Sequence, residues 1–360
     1  MVRRPGWQRL LDRGFLNMSG IELGIDTFGD VTLDEHGEAL TQAQVLRNVV
    51  AQGVLADQVG IDFIGVGEHH REDFAVSAPE VVLAAIAGKT QRIRLGSAVT
   101  VLSSDDPVRV FQRFATLNAI SDGRAEVILG RGSFTESFPL FGFELEQYEE
   151  LFEEKLNLFA ELVKQEPVTW KGNTRARLAD QSVFPRVEGG ALRTWVGVGG
   201  SPDSIVRTAR YGFSLMLAII GGEPLQFKQH VDLYHRALDH FEMPPQPVGV
   251  HSPGFVADSD DEAREKLWPH YSKMVDRIGR ERGWQPMSRI KFNNESGPTG
   301  ALFVGSPETV ATKIAAVAKG LGLSRFDLKY SNGGLRHEDL MKSIELYGTK
   351  VAPLVREMLA

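Results

Sequence analysis

The 360-residue chain contains no cysteine. Disulfides, thiolate metal sites and a thiol nucleophile are thereby excluded. Positive charge is not in excess either: the formal net charge is −7, so the basic face that duplex nucleic acid demands is missing. No apolar stretch approaches the length of a membrane-crossing helix. The first residues carry Arg3, Arg4, Arg9 and Arg13 without the continuous apolar core of a secretory signal. The expectation is a cytoplasmic protein in which residues 1–19 form an N-terminal extension, either a short helix from Trp7 to Phe15 or a stretch ahead of a start near Met18. Two chemical fingerprints are lacking as well. There is no G-x-S-x-G nucleophile elbow. The run Gly197-Val198-Gly199-Gly200-Ser201-Pro202 fails as a dinucleotide turn, because Pro202 stands where the third glycine belongs.

What is present is an alternation of short apolar runs with helical patterns from Ile21 onward. Strands are expected at Ile21–Thr27, Ile61–Gly67, Ile93–Val101, Ala125–Gly130, Thr194–Val198, Ser214–Ile220, Gly249–Ala257 and Arg325–Lys329. Helices are expected at Thr41–Val59, Pro107–Ile120, Glu144–Lys164, Ser201–Tyr211, Pro224–Phe241, Pro307–Lys319 and Arg336–Met358. This order predicts an α/β fold, a closed (β/α)8 TIM barrel occupying residues 20–360 as a single domain, with an open doubly wound sheet as the other arrangement. Two stretches fit no barrel element. Gln165–Arg193, polar and bearing Pro167 and Pro185, reads as an insertion after strand 4. Trp268–Gly300, with Trp268, Tyr271, Met274, Trp284, Met287 and Phe292 in irregular order, reads as an insertion before strand 8. It is either a lid or pocket wall or a packed surface excursion.

A barrel gathers its strand ends around one mouth, where ligands bind. Ile61–Gly67 runs directly into Glu68-His69-His70, a carboxylate and two imidazoles suited to proton transfer near neutral pH. Adjacent His69 and His70 point to opposite sides of an extended chain, and His230, His235 and His240 lie five apart, so no metal site is expected. Gly199 and Gly200 precede Ser201, a candidate N-cap with Pro202 in the first turn; free helix N–H groups there suit an anion. Ser306-Pro307-Glu308 repeats that start elsewhere, so a plain helix cap is the other reading. Arg131, between Gly130 and Gly132, suits a phosphate too, or else a surface pairing with Glu136. Together Arg131 and the Ser201 turn describe a site for one phosphate group.

The ordered motifs Glu68-His69-His70, Gly96-Ser97-Ala98-Val99, Pro107-Val108-Arg109, Ser121-Asp122-Gly123-Arg124, Gly130-Arg131-Gly132 and Gly305-Ser306-Pro307-Glu308 resemble those of the bacterial luciferase-like flavin monooxygenases. The resemblance runs from Ile21 to about Arg356. It implies a flavin ring over Ala98, Val99 and Thr100, with a cis peptide at Ala98–Val99. It implies an FMN phosphate held by Arg131, Gly199, Gly200, Ser201 and Ser204, and a catalytic pair of His69 and Glu68, with His69 beside the reactive carbon of the flavin. Reduced FMN would come from a separate flavin reductase, and O2 would oxidise a small organic substrate through a flavin hydroperoxide. A homodimer is implied as well. The sequence departs from the luciferase α chain at Gly200, where that chain carries a glutamate, and in lacking its reactive cysteine, so light emission is not implied. Phe28, Phe63, Phe134, Phe138 and the Trp268–Phe292 stretch are the candidates for a water-poor pocket wall, with ordinary core as the other reading. The competing readings are a deazaflavin-dependent hydride-transfer enzyme, a flavin-binding protein without turnover and, more remotely, a metal-dependent barrel hydrolase.

Overall fold

The computed structural model describes residues 20–360; the expectations for residues 1–19 lie outside the described residues. In chain order the strands are β1 (Glu22–Thr27), β2 (Phe63–Val66), β3 (Arg94–Ser97), β4 (Thr100–Val101), β5 (Ala125–Gly130), β6 (Val168–Trp170), β7 (Leu178–Gln181), β8 (Arg193–Val198), β9 (Ser214–Ala218), β10 (Val248–Val256), β11 (Phe303–Gly305) and β12 (Arg325–Lys329). Parallel pairing runs β1-β2-β3-β5-β8-β9-β10-β12 and returns to β1. That ring is a closed eight-stranded TIM barrel, with no open edge in it. The open doubly wound sheet is thereby excluded.

Each expected strand is present. The third is interrupted rather than continuous: β3 stops at Ser97, the Ala98–Val99 peptide is cis, and β4 resumes against β5. The Gln165–Arg193 insertion holds an antiparallel hairpin of β6 and β7. These strands are short, and β7 is largely exposed, so no alternation marked them in sequence. The Trp268–Gly300 stretch is not irregular. It belongs to a helix, Asp260–Arg282, and a shorter one, Arg289–Glu295. Ser259 caps the first, its hydroxyl accepting from the Glu262 N–H at 3.2 Å. Pro269 inside that helix hid its continuity. A further helix, Pro79–Ala87, begins with proline in its first turn.

Alternation along the strands sorts side chains between two cores. Outward-facing Leu23, Ile25, Ile64, Leu95, Val127 and Leu215 pack under the helices. Inside the ring, Phe63, Ile128, Trp195 and Met216 form one apolar layer. Beneath it lies charge: Arg325 is fully buried, touches Glu126 at 2.5 Å and Glu22 at 2.9 Å, and stacks over Phe63 and Trp195. Along β12, Arg325, Asp327 and Lys329 step from this base toward the mouth. Among the described residues, no helix is long and apolar enough to cross a membrane.

Candidate active site

Above the apolar layer, the cis Ala98–Val99 turn enters the barrel. A Cβ at Gly130 would come within 2.5 Å of Val99 Cγ2, and one at Gly197 within 2.9 Å of its Cγ1. A Cβ at Gly67 would lie 2.5 Å from the Ala98 carbonyl oxygen. Glycine at these strand ends therefore lets the Ala98–Val99 segment sit across the mouth. Thr100 is buried and its hydroxyl has no protein partner.

Glu68, His69 and His70 divide their tasks. One Glu68 oxygen accepts the Val101 N–H at 2.6 Å, and the other meets His70 Nε2 at 3.2 Å. The His70 N–H in turn donates to Glu136 at 3.4 Å, and its ring meets Phe141. Glu68 and His70 thus brace the loop against β4. His69 is different. Its ring sits among Phe28, Phe74 and Phe134 at centroid distances of 4.8, 4.6 and 4.6 Å. Burial in that cage, with help from the Lys329 and Arg71 cations, pushes its pKa down to about 3. Glu136 lies 3.8 Å from His69 Nδ1, too far for a hydrogen bond. His69 is therefore a neutral imidazole at neutral pH, able to donate or accept a hydrogen bond but carrying no proton to spare.

Across the mouth, β8 ends in Gly197-Val198 and the chain turns through Gly199 and Gly200 into the helix Pro202–Arg210. Gly200 has φ +111°, and space is open beside Gly199. Ser201 stands at the N-cap, yet its hydroxyl makes no bond to the helix, whereas Ser306 at the matching start does cap Thr309 at 3.3 Å. Three polar atoms around this turn are buried without a partner: Ser204 Oγ, Arg207 Nη1 and His230 Nδ1. Buried polar groups normally have partners, so this turn fits an anionic ligand. Arg131 is brought alongside. It pairs with Glu149 rather than with Glu136, and Arg207 contacts the same Glu149 carboxylate at 3.3 Å. Glu149 is itself largely exposed, so an anion can compete for both guanidinium groups. His230, read from sequence as a surface residue, lies against Gly200, while His235 and His240 are exposed.

The far wall comes from the helix Asp260–Arg282. Arg71 donates to Glu281 at 2.8 Å, and Arg282 donates to the Ser133 carbonyl at 2.7 Å while stacking over Phe134 and Trp284. The middle of this helix borders the mouth as well, where His270 and Met274 lie against Gly333 after β12. Trp268 and Tyr271 pack on Phe292 as part of the outer core. Phe63 lies in the barrel's inner layer and Phe138 stacks on Tyr148, so neither lines the mouth. Phe28 and Phe134 do.

The profile of the luciferase-like monooxygenases matches residues 27–325. The chain belongs to this family. It is an enzyme, an oxidoreductase. Among relatives of the luciferase-like chain, the N-acetyl-S-alkylcysteine monooxygenase of Bacillus subtilis is 30% identical over 299 residues, covering 78% of this chain and 86% of that one. The FMN complex of the oxygenating constituent of 3,6-diketocamphane monooxygenase, from the CAM plasmid of Pseudomonas putida, has a TM-score of 0.73 at 21% identity, covering 93% of this chain and 98% of that one. The coenzyme F420-dependent tetrahydromethanopterin reductase of Methanopyrus kandleri has a TM-score of 0.67 at 18% identity, covering 93% and 99%.

Sequence reasoning passed over one inward-facing pair in this luciferase-like barrel. His251 Nδ1 lies 2.6 Å from Asp26 Oδ2, joining β10 to β1 within the mouth. Asp26 was visible as a strand end, but nothing in sequence set the register that brings His251 to it. Arg207 and His230 were missed for the same reason.

Proposed function

We propose that this enzyme is a monooxygenase that takes reduced FMN from a separate reductase and oxidises a small organic substrate with O2. The observation that carries the reading is the set of unpartnered buried donors around the Gly199–Ser204 turn, with Arg131 alongside. These groups match a phosphate monoester: backbone N–H groups at a helix start, hydroxyls of Ser201 and Ser204, and guanidinium groups of Arg131 and Arg207. Ala98, Val99 and Thr100 would carry the ring. When bound, reduced flavin supplies the two electrons by which O2 is activated.

The chain's own residues then do three things. Phe28, Phe74 and Phe134 exclude water from the space around His69. His69, neutral in that cage, hydrogen-bonds to the bound partner without bringing a charge. Glu68 holds the loop that positions it. The FMN-bound relative in fold and the monooxygenase relative in sequence support flavin and oxygen chemistry here; the deazaflavin-dependent neighbour supports hydride transfer on the same scaffold.

Titration with FMN, riboflavin and a deazaflavin coenzyme tests the assignment. FMN is expected to bind and the deazaflavin not; the reverse preference moves the enzyme to hydride transfer. Arg131→Ala should weaken FMN by roughly 2 kcal/mol, about 30-fold, the lower end for a charge contact because the side chain is half-buried. Riboflavin, which lacks the phosphate, should lose almost nothing. Equal losses for both ligands sink the phosphate site. Turnover with a coupled reductase that never yields an oxygenated product, over a broad substrate screen, would favour a flavin carrier. The expected homodimer is checked by light scattering.

A further inference from the structure

His69 cannot serve as the proton donor of this mouth at neutral pH, yet oxygen reduction consumes protons. A second histidine faces the same mouth. His251 lies midway along β10, but its register partners are Ala218, the last residue of β9, and Asp327 on β12. It therefore stands at the level where the shorter neighbouring strand ends, facing the mouth. Its ring stacks on Phe28 at 6.1 Å between centroids, and Phe28 also meets His69 edge-on at 4.8 Å. The two imidazoles thus share contact with one phenyl ring.

Asp26 orients His251. The carboxylate is 1% exposed, and its Oδ2 lies 2.6 Å from Nδ1, a distance that belongs to a charge-assisted hydrogen bond. With Nδ1 held in this way, Nε2 is the atom left to exchange a proton; it has no protein partner among the described residues. This is the arrangement by which a carboxylate fixes the tautomer of an acid–base histidine. The other charged groups around it are accounted for. From β9 only Ala218 faces it. From β12 come Asp327, whose carboxyl is pushed well above the usual range by burial, opposed by Arg325 and reinforced by Asp26, and Lys329, which donates both to Asp30 and to the Ser331 carbonyl. From the end of β2 comes the neutral His69. Asp26 is thus the carboxyl group in hydrogen-bond contact with the ring.

We propose that His251, oriented by Asp26, is the proton-exchanging side chain of this active site, and that His69 acts beside it as a neutral hydrogen-bonding group. The proposal rests on the flavin reading above. In the simplest reaction open to such a site, FMNH2 gives two electrons to O2, which takes up two protons; FMN and H2O2 result. With FMNH2 bound, protonated His251 would deliver one of these protons from Nε2, remain as the Nδ1–H form on Asp26 and take back one of the two protons that the flavin releases, the other going to the oxygen.

Two measurements test this on the full chain with FMN as the probe. In the ligand-free protein, the Nδ1 proton held on Asp26 should give an exchange-protected NMR signal downfield of the amide envelope. His251→Asn should abolish it, keeping an N–H near the Nδ1 position and so preserving the fold, and Asp26→Asn should move it upfield and weaken its protection, since an amide oxygen is the weaker acceptor. Oxidation of FMNH2 by O2, followed by absorbance, should show a pH inflection. Asp26→Asn should move that inflection to lower pH, since the imidazolium loses its counter-charge, and His251→Asn should remove it and slow the reaction at least about 10-fold. A wild-type protein that does not bind FMN overturns the cofactor reading and this proposal with it. Wild type that binds FMN, while His251→Asn retains both the inflection and the rate, overturns the proton role alone.

Discussion

Arg325→Met is expected to destabilise the enzyme by about 3–5 kcal/mol, read from urea unfolding at pH 7. Arg325 lies at the base of the barrel with no exposed surface, between Glu126 and Glu22 and against the faces of Phe63 and Trp195. Burial alone would lower its pKa, but Glu126, Glu22 and Asp327 more than reverse that and hold the guanidinium charged. Burial would likewise raise Glu126; Arg325, Arg193 and Arg94 bring it below the ordinary range. The Arg325 charge is therefore what makes the buried carboxylate tolerable. Methionine fills much of the volume and removes the charge, leaving Glu126 with contacts to Arg94 and Arg193 at 3.4 and 3.5 Å. Adding Glu126→Leu should recover part of the loss, because a buried carboxylate left with only the longer Arg94 and Arg193 contacts costs more than an apolar replacement of the pair. A single variant that loses less than about 1 kcal/mol shows that the base of the barrel relaxes or hydrates freely.

His69→Asn should make folding less sensitive to acid. The imidazole has a folded pKa of about 3 against an ordinary 6.5, because burial among Phe28, Phe74 and Phe134 disfavours its charged form. Between those values the unfolded chain binds a proton that the folded chain refuses, so stability rises with pH across this window and falls as the solution is acidified. From pH 7 to pH 4 this one side chain should account for roughly 3 kcal/mol of lost stability. Asparagine does not titrate, so the wild type should lose ground against the variant as the solution is acidified, the shift from their pH 7 difference growing down to pH 4 and levelling off above pH 7. Parallel curves would mean that water or a rearranged loop reaches His69 and solvates its charged form.

These two residues also mark where sequence reading succeeded and where it stopped. The apolar runs around Ile64, Leu95, Val127 and Leu215 mark strands because both faces of a barrel strand are buried, which concentrates aliphatic residues in short stretches. The helix Asp260–Arg282 escaped, though Ser259 and Glu262 form its start signal, because Pro269 breaks the pattern. Glu68-His69-His70 was legible as a strand end rich in acid–base groups, but not the division of labour within it. Whether a histidine is caged by phenyl rings or paired with a carboxylate depends on residues distant in the chain, Phe134 for His69 and Asp26 for His251.

The sequence by itself determined the alternation of strands and helices, most of the strand ends and the family, since periodicity and local motifs are short-range properties of the chain; closure of the ring came from the pairing of β12 with β1. It also bounded the chemistry: without cysteine, neither a thiol nucleophile nor a thiolate metal site is open to it. Tertiary structure alone decided which charges meet. Arg131 turned from Glu136 to Glu149, Ser201 left its hydroxyl free of the helix it starts, and Asp26 met His251 across two strands far apart in sequence. Pairing of that kind follows from barrel register and closure, which bring every strand end to one mouth whatever the separation along the chain.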